Sequence, residues 1–145
     1  MKIKLFVAVA AILLIACNSS SDANESIRKS AVAFAENYFN FDFHAALEYS
    51  TPESRKWICY VASNVSEADL EVLRSYGHAA TVYIDRVDVL GDTTAVVKLS
   101  VGGFLCTDSI GRPGHIVDEA TFLLSMARRG DRWLVRMASP LQSEK

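Results

Sequence analysis

Residues 95–101 read Ala95-Val96-Val97-Lys98-Leu99-Ser100-Val101. Ala95, Val97, Leu99 and Val101 alternate with Val96, Lys98 and Ser100. This period of two puts an apolar row on one side of the backbone and a mixed row on the other. It is the pattern of a strand in an antiparallel sheet with one face on a core. Gly102-Gly103 then interrupts the pattern before Phe104 and Leu105, which predicts a bend. Upstream, residues 80–90 are rich in Val, Ile, Tyr and Thr and read as a strand. Their alternation slips near Asp85 and Arg86, which predicts a bulge. Gly91-Asp92 is the turn between these two strands.

Downstream, a loop from Thr107 to His115 contains Gly111, Pro113 and Gly114. A third strand carries Ala120, Phe122, Leu124 and Met126 on one face. Arg129-Gly130-Asp131 makes a tight turn, and Trp133, Val135 and Met137 alternate with Leu134 and Arg136 in a last strand.

Before residue 80 the period is helical. Ile27, Ala31, Phe34, Ala35 and Tyr38 recur at the spacing of one helix face. Asp22 with Glu25 resembles a capping box, with Ser21 and Asn24 as other candidate caps, and the helix should stop near Asn40. A short helix follows Asp42, with Phe43, Ala46 and Leu47 inward. Thr51-Pro52-Glu53 restarts a helix bearing Trp57, Ile58 and Val61. Ser66-Glu67-Ala68-Asp69 opens a further helix that holds Leu70 and Leu73 and stops at Gly77. The expected fold is α+β: N-terminal helices packed on a curved four-stranded antiparallel sheet.

The N-terminus carries a different message. Lys2 and Lys4 precede an uncharged apolar run from Leu5 to Ala16. That run is shorter than the ~20 residues a membrane-spanning helix needs, and it fits the core of an export signal. It ends in Leu14-Ile15-Ala16-Cys17, which resembles the lipobox of bacterial lipoproteins, with Cys17 as the lipid attachment site. The expected organisation is a signal over residues 1–16, a lipidated cysteine and Ser-rich flexible tether over 17–24, and one domain over 25–140. Removing the signal drops the basic count from 15 to 13 against 17 acidic residues, a net charge of −4. No clustered positive charge favours nucleic acid as a partner. Asn18 is not the aspartate that resembles an inner-membrane retention signal, so the expected location is the cell envelope, lipid-anchored at the outer membrane.

Cys59 and Cys106 would then lie in an oxidising compartment, where one bridge between them and two separate thiols are both open. They lack the spacing of a metal site, and His44, His78 and His115 are scattered, so neither a metal nor a cofactor is expected.

Three segments carry a family likeness: Ala33-Phe34-Ala35-Glu36-Asn37-Tyr38-Phe39, then Phe41-Asp42-Phe43-His44-Ala45-Ala46-Leu47, then Tyr49-Ser50-Thr51-Pro52-Glu53-Ser54. With the last hairpin through Gly130-Asp131-Arg132-Trp133-Leu134-Val135, they resemble the NTF2-like (cone-shaped, cystatin-like) superfamily. More narrowly, they resemble its DUF4878-like small lipoproteins of unknown function. The resemblance implies helices closing a curved sheet into a cone with a pocket at its open end, and it implies no reaction.

No motif of the superfamily's isomerases or dehydratases is present to carry over. Asp118 shares strand parity with Ala120, Phe122 and Leu124, so it should point toward the helices. A carboxylate in an apolar pocket would have a raised pKa and could act as a base, with Asp85, Tyr60 and Tyr83 as candidate partners. The alternative is an acid at the pocket mouth, solvated or bonded to Arg86. Arg129-Gly130-Asp131 spells an adhesion tripeptide, but a hairpin turn wants Gly and Asp anyway. Asp92-Thr93-Thr94 and Asp108-Ser109-Ile110 look like sites of bacterial O-glycosylation. The functional expectation is a non-catalytic envelope module that binds a small apolar ligand, a peptide or an envelope protein. An isomerase- or dehydratase-like enzyme using an acid in the cone is the alternative.

Overall fold

One helix, α1 (Lys2–Phe39), leads into the fold in a computed structural model that describes residues 2–107 and 111–144, with side chains from Ser21 onward. Ile27, Ala31, Phe34, Ala35, Tyr38 and Phe39 form its buried stripe, as the spacing predicts. The cap expected at Asp22 is absent, because the helix continues through it. No Pro or Gly occurs between Lys2 and Phe39. Serine and asparagine cost only a few tenths of a kcal/mol each in a helix that is already nucleated. Among the described residues no helix is long and apolar enough to cross a membrane.

The end of α1 is built tightly. Phe41 N–H donates to the Tyr38 carbonyl at 3.2 Å and Asp42 N–H to the Asn37 carbonyl at 2.9 Å. These two bonds make a Schellman closure with Phe41 at the left-handed position, φ 64°. Asn40 pins the same end to the sheet, its side-chain carbonyl accepting Ala80 N–H at 2.7 Å.

Asp42 caps α2 (Phe43–Leu47) by accepting Ala45 N–H at 3.1 Å. The restart at Thr51 is a 3-10 turn, Pro52–Ser54, leading into α3 (Arg55–Ser63). Thr51 does not cap it; its hydroxyl lies 2.7 Å from the Ser54 hydroxyl, and both residues are buried. Ser54 Oγ in turn accepts Met137 N–H at 2.8 Å. The fourth helix, α4 (Glu67–Tyr76), opens with the predicted capped start. Ser66 and Asp69 exchange bonds as a full capping box, and Gly77 closes the helix with φ 71°.

The four predicted strands are β1 (Thr81–Val89), β2 (Thr94–Cys106), β3 (His115–Arg129) and β4 (Arg132–Arg136). They form an antiparallel meander in the order β1-β2-β3-β4. The β1–β2 register shifts between Ile84 and Arg86, the bulge expected from the sequence. Ala95, Val97, Leu99, Val101, Phe122, Leu124 and Met126 form the inner face and meet the α1 stripe. Fully burying one such Val, Leu or Phe contributes about 1.5–3 kcal/mol. Residues 49–51 add a short parallel contact to β4: Val135 N–H donates to the Tyr49 carbonyl at 2.8 Å, and Thr51 N–H to the Val135 carbonyl at 2.9 Å.

At Gly102-Gly103 the alternation changes phase. Val101 and Phe104 are both buried although three residues apart, and Gly103 between them has φ 61°. A Cβ on Gly103 would lie 2.6 Å from the Tyr76 hydroxyl, so the bend also admits α4. On β3, Ala120 faces Val101 and Val117 faces Phe104, so the inward set shifts there too.

An aromatic cavity at the end of the first helix

Beyond this bend the sheet and helices part to leave a cavity of about 810 Å³ at the Phe39 end of α1. Its floor is a triad of rings: Phe39 to Phe104 at 5.3 Å, Phe39 to Phe122 at 4.7 Å and Phe104 to Phe122 at 5.6 Å between centroids. A second aromatic wall comes from the α1–α2 corner, where Phe43 packs edge-on against Tyr38 at 5.7 Å and Phe41 at 5.4 Å. The left-handed turn at Phe41 is what sends this ring to the cavity. Cavities of roughly 300–1,000 Å³ with apolar walls and few polar groups are the usual receptors for small molecules.

The rim is polar. Asn64, Ser66 and Asp69 reach it from the α3–α4 region, Arg112 and Pro113 from the β2–β3 loop, and Pro140 to Ser143 from the C-terminal tail. The tail is held by Glu144, whose N–H donates to the Thr121 carbonyl at 2.8 Å and whose carboxylate lies 3.6 Å from Lys98 Nζ. Asp69 is buried, and burial alone would raise its pKa. Hydrogen bonds from Ser66 N–H, Gly114 N–H and the Ser66 hydroxyl outweigh that and hold the carboxyl below its ordinary value. Its charge therefore organises the rim. In the second aromatic wall, burial pushes the Tyr38 phenol up to about 12, offset in part by a hydrogen bond with the Leu141 backbone.

The residues singled out by sequence disperse. Asp118 is exposed and lines a separate groove of about 430 Å³ with Tyr76, His78 and Tyr83. It does not line the aromatic cavity, which corrects the reading of a base in the apolar pocket and leaves the solvated acid. The cause is the phase change at Gly102-Gly103, which a strict period of two does not anticipate. Asp85 accepts a hydrogen bond from Ser100 Oγ at 2.7 Å, and Arg86 pairs with Asp88 at 2.8 Å, not with Asp118. Tyr60 and Cys106 do line the cavity. Cys59 is an exposed free thiol on α3, so the structure contains no Cys59–Cys106 bridge. Arg129 is engaged by Glu53, which ties the Arg-Gly-Asp turn to the helical layer. The Cys17 side chain and the Asp108-Ser109-Ile110 motif lie outside the described residues.

Sequence reasoning missed Asp69, Tyr38 and the tail as parts of a site. The capping motif located Asp69 but gave no hint of Gly114, and Tyr38 fell among ordinary helix-face positions.

The architecture matches a crystal structure of an NTF-2 like protein of unknown function from Shewanella oneidensis MR-1. The TM-score is 0.56 over 85% of this chain and 99% of the other, at 12% identity. The chain has the NTF2-like fold. At that identity the match speaks for the fold alone. An Ntf2 like protein involved in plasmid conjugation aligns at 23% identity over 86% of this chain and 41% of its own, with a TM-score of 0.36 that carries no argument. No family profile and no curated protein matches the chain.

Proposed function

We propose that this NTF2-like protein is a lipid-anchored envelope module that binds a small apolar molecule in the aromatic cavity. The observation that carries the reading is the cavity itself, walled by two groups of rings and rimmed with polar groups. The lipobox at Leu14-Ile15-Ala16-Cys17 supports the anchor and the narrower likeness to DUF4878-like small lipoproteins, and Asn18 after the cysteine supports the outer membrane; residues 17–24, read from sequence as a flexible tether, continue α1 as helix. An anchor at Cys17 stands roughly 33 Å from Phe39 along α1, at about 1.5 Å per residue, which leaves the cavity clear of a bilayer. One acyl chain holds weakly and several hold stably, so a triacylated Cys17 would keep the protein at the membrane.

The binding claim is tested by fluorescence titration with N-phenyl-1-naphthylamine. Saturable binding is expected in the wild type, with a loss of at least tenfold in Ala120→Trp, which pushes an indole from the lining into the cavity. Binding that is absent, or indifferent to the intruding indole, refutes it. The anchor is tested by fractionation: Cys17→Ala should move from the membrane to the soluble fraction.

A further inference from the structure

At the bend in β2 lies the groove of about 430 Å³, which shares no lining residue with the aromatic cavity. Gly102 and Gly103 leave its floor without side chains. A Cβ on Gly102 would lie 2.9 Å from Thr81 Oγ1, so the bare floor is built into the sheet. Three rings stand around it. Tyr76 and His78 meet edge to face at 5.2 Å and 74°, and Tyr83 is 65% exposed. Glu119 stands opposite Gly102 in register, with Asp118 beside it, and both are exposed. A third carboxylate, Asp85, reaches the groove wall by its bond from Ser100 Oγ at 2.7 Å. Among the described residues neither Asp118 nor Glu119 has an ion-pair or hydrogen-bond partner for its carboxylate. None of the described lining residues is a lysine or an arginine. One exposed acid or one exposed ring needs no explanation beyond solvation. Three rings and two unpaired acids gathered over a floor cleared of side chains do.

We propose that this groove binds an alkylguanidinium group, such as an arginine side chain, which stacks on the tyrosine rings and donates to the two carboxylates. Ring faces are negative and attract a cation. A guanidinium is planar and weakly hydrated, and its N–H fork matches a carboxylate bidentately. An ammonium keeps a stronger hydration shell, and an open groove gives little in return for stripping it. A bare metal ion is the poorer fit, because among the described residues no three His, Cys, Asp or Glu groups converge to ligate one. The site is separate from the aromatic cavity and does not depend on what that cavity binds.

The test is an NMR titration of the isotope-labelled full chain in a nonionic detergent, with butylguanidinium and with butylurea, its neutral counterpart of the same shape. Butylguanidinium should shift the backbone amides of Gly102 and Gly103 saturably, and butylurea should bind at least about fivefold more weakly. Tyr83→Leu should weaken butylguanidinium about two- to fivefold, and Asp118→Asn combined with Glu119→Gln about three- to tenfold. All three side chains are exposed, so the spectrum away from the groove should stay as in the wild type. Equal binding of the two probes, an affinity indifferent to these substitutions, or a titration that leaves Gly102 and Gly103 unshifted overturns the proposal. A blocked glycine-arginine-glycine peptide then reads the source of the group. Binding tighter than butylguanidinium places it on a polypeptide, weaker binding places it on a small molecule, and both uphold the guanidinium class.

Discussion

Asp69 Oδ1 accepts the backbone N–H of Gly114 at 2.7 Å across 45 residues of sequence, joining the first turn of α4 to the loop that rims the cavity. The other oxygen accepts Ser66 N–H at 2.8 Å. Asp69→Ala leaves two backbone donors without their acceptor and should cost about 1–3 kcal/mol in chemical denaturation. Because the folded-state pKa is depressed, the carboxylate's contribution is present above the unfolded-state value, near 3.9 for aspartate, and is lost as pH falls through the folded value. The wild type should therefore lose stability on acidification below about pH 4 more steeply than Asp69→Asn. Gly114→Ala strikes the same joint from the other side, since its Cβ would lie 2.7 Å from the Cys106 carbonyl.

At Phe41 the usual order of two substitutions should reverse. Glycine is ordinarily about 0.5–1 kcal/mol less stable than alanine in regular structure. At φ 64° a Cβ is the liability, so Phe41→Gly should be more stable than Phe41→Ala by about 1 kcal/mol. Both lose the ring, so the comparison isolates the backbone. Thermal midpoints of the two variants decide it, and an alanine variant that matches or exceeds glycine contradicts the left-handed assignment.

Ser54→Ala should lower the urea midpoint without changing the slope. It removes a hydroxyl that accepts Met137 N–H at 2.8 Å in a fully buried position, at a cost of about 1–3 kcal/mol. This atom joins the helical layer to the segment leading out of β4, so hydrogen exchange at Met137 should accelerate in the variant.

Asp118→Asn should be silent in the aromatic cavity. The side chain is exposed and outside the aromatic cavity, so stability should change by less than about 0.5 kcal/mol and N-phenyl-1-naphthylamine affinity should not move. A marked loss of probe binding would put the acid back in the cavity and reverse the account of the bend.

Much of this architecture could be read from pattern. The α1 stripe from Ile27 to Tyr38, the alternation from Ala95 to Val101, the slip at Asp85 and the Ser66–Asp69 box all depend on local spacing, and each appears where that spacing puts it. The bend at Gly102-Gly103 was legible as well, but its consequence was not. A glycine pair announces a change of direction without saying which face the next residues take, and that choice decided the fate of Asp118. A pocket at the open end of the cone was implied by the family likeness, but its lining was out of reach for a related reason. Its walls come from residues as distant as Tyr38 and Leu141, and local periodicity carries no record of which segments meet.

The last wall of the cavity to be synthesised is the tail, Pro140 to Ser143. A nascent chain that has released everything through β4 already owns the ring triad of Phe39, Phe104 and Phe122, yet it has nothing to lay across that side. Such a chain would present a greasy, half-open trough until residues 140–144 emerge and Glu144 fastens to Thr121. The cavity thus closes only after residues 140–144 have left the ribosome, and a chain truncated before Pro140 would leave its rings facing water.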